Sequence, residues 1–145
     1  MSDGDADGAE AAVRDYYDAL RSGEPLEPYF LEDESTVKFG ISEALFGFES
    51  VREALREQTA TTADWTVESD HLVVSERDAF ATFADEVTMT WTDTETGANR
   101  RFETRWSGTL VRDERSDRDE RGDDGTEAKP PWRFATMHVS TADEL

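Results

Sequence analysis

The sequence of 145 residues contains no cysteine. This absence excludes disulfide bonds, zinc sites built on thiolates and a cysteine nucleophile, so any metal ion would need histidine and carboxylate ligands. The only histidines, His71 and His138, lie far apart in the chain, and the acidic segments lack the ligand spacing of a calcium loop. We therefore predict neither a metal ion nor a cofactor.

Long apolar runs are also missing. The chain begins MSDGDADGAE, without the basic and apolar regions of a secretion signal, and no run is long enough to cross a bilayer. It has no glycine-rich phosphate loop, no serine elbow and no basic aromatic stripe, which disfavours nucleotide hydrolysis, triad catalysis and nucleic-acid binding. These features predict a soluble cytoplasmic protein that binds neither nucleic acid nor membrane.

Basic residues are scarce: 15 Lys and Arg stand against 35 Asp and Glu, for a net charge of −20. Such a surface repels nucleic acid and itself, but at molar salt the Debye length falls to about 3 Å and the repulsion is screened. We therefore predict a halophilic protein. An acidic surface for a basic partner and a disordered chain are the alternatives; the even spread of acids and 36% hydrophobic content argue against them.

Apolar residues at helical spacing open the folded part of the chain. From Ala9 to Leu20 they recur every three or four positions, and Gly23 follows, which predicts an amphipathic helix of about four turns. The segment EPLEPYFLED predicts a short second helix or turn, because its prolines suit first turns or loops. Val51 and Leu55 lie on one side of a third helix, in VREALREQTA.

The apolar period then changes from about 3.6 to 2. A short strand is predicted in STVKFGI, and long antiparallel strands in DWTVESDHLVVSE, AFATFADEVTMTWT, RRFETRWSGTLVR and WRFATMHVS. Helices followed by strands indicate an α+β fold, in which three N-terminal helices pack on a curved antiparallel or mixed sheet and enclose a cone. Because both alternating sets of the last strand are uncharged from Phe134 onward, the outer sheet face also needs cover, and we predict a homodimer through it.

The termini and one internal segment stand apart from this pattern. Residues 1–8 predict a disordered acidic tail, and 141–145 predict a C-terminal tail. The segment 113–129 is charged and almost without apolar side chains, which predicts a solvated acidic loop. A single domain over 9–140 remains.

Several pieces of the chain resemble the NTF2-like superfamily, and its SnoaL-like branch in particular. They include VRDYYDALRSGE in the first helix, GFESVREAL in the third, RWSGTLVR with Arg105 and Ser107, and WRFATMHVS with His138 and Ser140. The resemblance spans most of Ala9 to Ser140 and, with the acidic composition, suggests a haloarchaeal type. It implies the cone-shaped fold. It does not imply one activity, since the superfamily contains both enzymes and binding domains.

The resemblance also implies a comparison with ketosteroid isomerase, which uses a first-helix tyrosine and a carboxylate base. Tyr16 resembles that tyrosine and could stabilise an oxyanion. The base is missing, because Phe39 stands at or beside its position and the second acid falls near Ser107. Isomerase chemistry by that route is therefore disfavoured.

Three further side chains are candidates for chemistry. The imidazole of His138 could transfer protons near neutral pH, or it could simply satisfy a structural hydrogen bond. Arg105 could hold an anionic ligand group, or pair with a surface acid. Glu86 is a candidate buried base. Aromatic residues supply cavity walls or core packing: Phe83, Trp91, Phe102 and Phe134 among others.

Three hypotheses follow from these residues. The first is a cone that binds a small, partly apolar molecule through Tyr16, Phe39, Phe83, Trp91, Phe102, Arg105 and His138. The second is a lyase, isomerase or hydrolase with His138 or Glu86 as the base and Tyr16 or Arg105 stabilising negative charge. The third is a dimerisation module without a ligand.

Overall fold

A computed structural model of the protein describes residues 8–112 and 132–141. These residues form the helices α1 (Ala9–Ser22) and α2 (Phe48–Thr61), a 3-10 turn (Glu27–Tyr29) and the strands β1 (Val37–Gly40), β2 (Glu43–Phe46), β3 (Thr62–Ser69), β4 (Val73–Glu76), β5 (Phe80–Asp93), β6 (Asn99–Arg112) and β7 (Trp132–Thr141). The predicted loop 113–129 and nearly all of both predicted tails lie outside the described residues. Neither described helix is long and apolar enough to span a membrane.

The helix α1 forms where the apolar spacing predicted it. Its buried face includes Val13, Tyr16 and Tyr17. The helix ends at Gly23, whose φ of 72° lies in the left-handed region that glycine adopts at little cost. Gly23 and Glu24 donate their backbone N–H groups to the last turn of α1, so the end of the helix is closed by its own backbone.

The predicted set of three N-terminal helices is wrong. Between α1 and β1 the chain makes only the three-residue 3-10 turn, in which Tyr29 and Phe30 donate to the carbonyls of Leu26 and Glu27. The side chains of Leu26 and Phe30 are buried on either side of this turn and tie both ends to the core. The backbone of Phe30 is already extended, with a φ of −107° and a ψ of 147°, so the turn does not continue as a helix.

The strands form one mixed sheet in the order β2-β1-β7-β6-β5-β3, with β4 also paired to β5. All pairs are antiparallel except β1 with β7, which run parallel. The long partners β5 and β6 hold the sheet together over thirteen paired positions. The strand β2 was not predicted.

The helices cover one face of the sheet. In β5 the residues Ala81, Phe83, Asp85, Val87 and Met89 face this covered side and are buried, while the residues that alternate with them are more exposed. The ring of Tyr16 on α1 packs edge-on against Trp106 of β6 and Phe134 of β7. The core therefore lies between the helices and the concave face of the sheet, and the opposite face is open in the described chain.

Candidate ligand-binding site

A cavity of about 210 Å³ remains between the two helices and the sheet. Its walls come from both helices, from six strands and from the turn between β1 and β2. The lining residues are Tyr16, Leu20, Lys38, Gly40, Ile41, Glu43, Gln58, Thr62, Trp65, Met89, Trp91, Trp106, Met137 and Val139. Most of these side chains are apolar or aromatic, with a few polar groups among them, which is the usual character of a small-molecule site.

Lys38 and Glu43 form an ion pair in the wall of this cavity. The Lys38 Nζ lies 3.0 Å from the Glu43 Oε2, and the lysine side chain is only 8% exposed against 36% for the glutamate. A buried ammonium group is costly unless a carboxylate compensates it. Glu43 therefore compensates the ammonium group of Lys38 inside the fold.

The hairpin between β1 and β2 brings these two side chains together. Gly40 pairs with Glu43 across the hairpin, and Lys38 lies two positions before Gly40 on the same face. A Cβ added to Gly40 would fall 2.6 Å from the Glu43 Oε2. The missing side chain of Gly40 thus leaves the space in which the carboxylate reaches back to Lys38.

Tyr16 supplies the third polar group. Its side chain is 2% exposed, and its hydroxyl lines the cavity without a hydrogen-bond partner among residues 8–112 and 132–141. Burial, with a smaller contribution from the charge of Glu43, raises the pKa of Tyr16 well above its usual value of about 10. The hydroxyl therefore stays protonated at neutral pH and is a free donor directed at the cavity.

The neighbouring Tyr17 is bonded quite differently. Its hydroxyl donates to the Asp85 Oδ2 at 2.8 Å, and the same carboxylate accepts bonds from the Ser69 hydroxyl and the backbone N–H of His71. Burial and the hydrogen bond to Asp85 raise the pKa of Tyr17. All three donors are used inside the protein, so this buried group stabilises the fold and does not face the cavity.

Tryptophans form the aromatic walls. Trp65 stacks on Trp91 with 4.7 Å between ring centroids, and Trp91 stacks on Phe102 at 5.4 Å. The indole N–H of Trp106 donates to the Thr104 hydroxyl at 2.8 Å. Because that polar edge is satisfied within the protein, Trp106 presents an apolar surface to the cavity.

Only two of the predicted ligand contacts line this cavity, Tyr16 and Trp91. Phe83 lies deeper in the core, 5.5 Å from the ring of Phe134, and Phe102 lies behind Trp91. These two phenylalanines support the walls from outside the lining.

The predicted inward placement of His138, Arg105 and Glu86 is corrected by the structure. All three side chains are exposed on the outer face of the sheet. Glu86 of β5 lies opposite Arg105 in the register with β6. The three side chains border an open concavity of about 510 Å³ on that face. Phe39 lies on the same face, 37% exposed, with its ring 5.8 Å from the imidazole of His138. None of the four can act together with Tyr16 on one ligand in the cavity.

The outward position of His138 is explained by which of the two alternating sets of β7 residues faces the cone. A shift of one residue exchanges the two faces of a strand, and from Phe134 onward both alternating sets of WRFATMHVS are uncharged. In the structure Met137 and Val139 point into the cone, so His138 points out.

Sequence reasoning missed Lys38, Glu43 and Gln58 as members of the site. One signal was available for the first: Lys38 is one of only two lysines in a chain with thirteen arginines, and it stands in an otherwise apolar strand. The role of Glu43 depends on the β1–β2 hairpin, which was not predicted. Across the part of the chain that the structure describes, no three His, Asp or Glu side chains converge as metal ligands would.

Comparison with known proteins gives a consistent result. The sequence profile of the SnoaL-like domain family matches residues 9–116, and no curated protein matches the chain. A candidate dehydratase of the NTF2-like family from Streptomyces avermitilis has a similar structure, with a TM-score of 0.75 at 13% identity over 99% of this chain and 100% of that one.

Two more solved structures are similar. A candidate scytalone dehydratase from Novosphingobium aromaticivorans gives a TM-score of 0.72 at 13% identity, covering 97% of this chain and 85% of that one. An NTF2-like superfamily protein from Salmonella enterica gives 0.71 at 14% identity, covering 92% and 88%. At such identities the likeness concerns the fold alone.

Proposed function

Since the chain belongs to the SnoaL-like domain family and has the NTF2-like α+β fold, we propose that it binds a small, uncharged and mostly apolar molecule in its cone. The observation that carries this proposal is the cavity itself, with the unpartnered Tyr16 hydroxyl directed into it. The family includes ligand-binding and enzymatic members, so the cavity alone does not choose between binding and catalysis.

The size of the cavity supports a ligand built on one ring. An apolar cavity of about 150 Å³ holds benzene. The cavity here is about 210 Å³, which fits a six-membered ring with one or two small substituents. The three tryptophans of the wall offer flat apolar surfaces to such a ring.

The charges in the wall support an uncharged ligand with an acceptor oxygen. Lys38 and Glu43 neutralise each other, so a charged ligand would have to enter without a counter-ion or separate the pair. The Tyr16 hydroxyl donates, and the best partner for it is a carbonyl, ether or hydroxyl oxygen. A phenol or a cyclic ketone meets these requirements.

The test is titration of the protein with 4-methylphenol in molar potassium chloride, followed by calorimetry. We expect saturable binding to one site. Tyr16→Phe should weaken it about three- to tenfold, the effect of one lost hydrogen bond. Tyr17→Phe is the matched control and should leave the affinity unchanged, because its hydroxyl does not face the cavity. Equal effects of the two variants, or no binding to the wild-type protein, would refute the proposal.

A second candidate function is proton abstraction from a bound ketone. One observation favours it: Glu43 and Tyr16 line the same cavity, close enough for the carboxylate to contribute to the raised pKa of the phenol. Glu43 would remove the proton α to the carbonyl, and Tyr16 would donate to the enolate oxygen. The bases predicted from the sequence, His138 and Glu86, face away from this cavity.

Proton exchange at the α-carbon of a cyclic ketone in D₂O, measured by NMR, tests this chemistry. The wild-type protein should accelerate the exchange above the buffer rate, and Glu43→Gln should abolish the acceleration. Glu68→Gln, an exposed control, should have no effect. Exchange at the buffer rate in the wild-type protein would leave binding as the only activity of the cone.

The outer face of the sheet supports a homodimer. The face carries Phe39, Val73 and other partly apolar residues that remain exposed in the single chain, and a second copy would cover them. Ser107 lies near the centre of the face, paired with Ala84 and His138. Ser107→Arg should therefore halve the molar mass measured by light scattering in molar salt. A monomeric wild-type protein would contradict the dimer.

The composition supports a place in the salt-rich cytoplasm of a halophile. The net charge of −20 comes from acids in every segment, and no cysteine is present. A surface of this kind is stable where salt screens its self-repulsion.

A further inference from the structure

A second cavity of about 350 Å³ adjoins the first. It lies between the C-terminal ends of α1 and α2 and the beginning of β3. Four residues line both cavities: Leu20, Gln58, Thr62 and Trp65. Since these side chains face both spaces, they form the partition between an inner compartment, the cone cavity, and an outer compartment, this second cavity.

The backbone of β3 is shaped to hold Trp65 in the partition. The pairing of β3 with β5 shifts register between Ala63 and Thr66, and Asp64 within the shift has a φ of 59°. A bulge of this kind re-aims the side chain beside it, and a non-glycine residue in the left-handed region carries a conformational cost. Trp65 is then fixed by its stacking on Trp91 and by its N–H bond to the Thr62 hydroxyl at 2.8 Å.

Gln58 and Thr62 are the polar members of the partition, and the Thr62 hydroxyl is already bonded to the backbone carbonyl of Gln58 and to the indole N–H of Trp65. The side-chain amide of Gln58 has no hydrogen-bond partner within the described ranges, although it lines both compartments. The amide offers a donor and an acceptor to a ligand that passes through.

We propose that the two compartments form one bipartite site for a molecule with a ring and a polar tail. The ring occupies the inner compartment, the tail passes between Trp65 and Gln58, and its end lies in the outer compartment. The inner cavity is smaller than the roughly 300–1,000 Å³ of ordinary ligand pockets, whereas both compartments together fall in that range. This inference rests on the proposed binding function and adds the shape and polarity of its ligand.

The charges of the outer compartment restrict the tail further. Its acids are Glu24 and Asp64. Its one cation, Arg21, already bonds the carbonyl of Val67 and the carboxylate of Asp18. The compartment therefore favours a tail that donates hydrogen bonds, such as a hydroxyl, and disfavours a carboxylate.

The affinities of three phenols that differ only in the group opposite the phenol oxygen test the inference. They are 4-methylphenol without a tail, 4-(3-hydroxypropyl)phenol with a hydroxyl tail and 3-(4-hydroxyphenyl)propanoate with a carboxylate tail. For the wild-type protein we expect the hydroxypropyl compound to bind about three- to tenfold more tightly than 4-methylphenol, and the propanoate to bind more weakly than the hydroxypropyl compound. Gln58→Leu should remove the advantage of the hydroxyl tail, so that the ratio of the affinities for the hydroxypropyl compound and 4-methylphenol falls to about one. Glu57→Gln, exposed on the same helix, is the control.

A second variant tests the partition itself. Trp65→Phe replaces the indole by a smaller ring, so the affinity for 4-tert-butylphenol relative to 4-methylphenol should rise about threefold. No change in this ratio, or no advantage of the hydroxyl tail in the wild-type protein, would overturn the bipartite site while leaving ring binding intact. Failure of the wild-type protein to bind 4-methylphenol at all would instead overturn the binding function, and the bipartite site with it.

Discussion

Replacing either of two adjacent tyrosines, Tyr16 or Tyr17, by phenylalanine should have opposite effects on ligand binding and on stability. Tyr16 and Tyr17 are both buried in α1, with side chains 2% and 1% exposed. The hydroxyl of Tyr17 donates to Asp85, whereas that of Tyr16 meets only the cavity in the described structure. Replacing each by phenylalanine removes one oxygen from the same helix and preserves the ring, so the pair isolates the role of each hydroxyl.

The expected change in the free energy of unfolding depends on whether the removed hydroxyl leaves a buried hydrogen-bond partner behind. Tyr17→Phe takes one of three hydrogen bonds from the buried Asp85 carboxylate, which should lower the free energy of unfolding by about 1.5–3 kcal/mol. Tyr16→Phe takes a hydroxyl that has no protein partner, so the free energy of unfolding should stay unchanged or rise by up to about 1 kcal/mol. Only Tyr16→Phe should weaken the binding of 4-methylphenol.

Equilibrium unfolding in urea, followed by tryptophan fluorescence in molar potassium chloride, measures both changes under one condition. The midpoints of the two variants should separate clearly, with the wild-type midpoint near that of Tyr16→Phe. A loss of stability in Tyr16→Phe as large as in Tyr17→Phe would show that the Tyr16 hydroxyl is structural, and the assignment of the cavity as a binding site would lose its main polar contact.

Three other predictions concern the fold. Gly108→Ala should lower the free energy of unfolding by about 3 kcal/mol or more in urea titration, because a Cβ there would overlap the backbone carbonyl of Thr136 in β7; a wild-type midpoint would contradict this close approach. Transfer from molar to about 0.1 M salt should lower the melting temperature in calorimetry, since the Debye length grows from about 3 to 10 Å around a net charge of −20; an unchanged melting temperature would exclude the halophilic interpretation. Tyr16 and Tyr17 are buried and have a raised pKa in the folded state, so the stability that they contribute is fully present below about pH 10 and is lost as pH rises further; absorbance at 295 nm should therefore detect these two tyrosinates only as the protein unfolds, and titration of all three tyrosines near pH 10 before unfolding would be inconsistent with the burial of Tyr16 and Tyr17.

Periodicity predicted the parts of the fold that depend on long segments. The helix α1 and the long strands β5 and β6 agree with their patterns, because many residues contribute to each. The conformation of short segments was predicted less accurately. The segment that contains the 3-10 turn Glu27–Tyr29 was predicted as a short helix or turn, and β2 was not predicted, since three or four residues leave tertiary packing to decide the conformation.

The candidate site was predicted only in part, for physical reasons that differ from residue to residue. Tyr16 was placed in the cone because the first helix resembles that of ketosteroid isomerase, and its spacing on α1 agrees, since it lies on the buried face. His138 was placed in the cone wrongly, because the uncharged neighbours in its strand do not reveal the phase. The ion pair of Lys38 and Glu43 could not be predicted because it depends on the β1–β2 hairpin. The turn residues of that hairpin, Ile41 and Ser42, include neither the glycine nor the asparagine that is typical of two-residue hairpin turns.

The crystal structure of the protein with 4-methylphenol, grown at molar salt, tests the central claim most directly. We predict that the ring lies in the inner compartment against Trp91 and Trp106, with its oxygen about 2.7 Å from the Tyr16 hydroxyl. Phenol density on the outer sheet face near His138, with the inner compartment empty or filled by side chains, would contradict the claim that the cone is a ligand site.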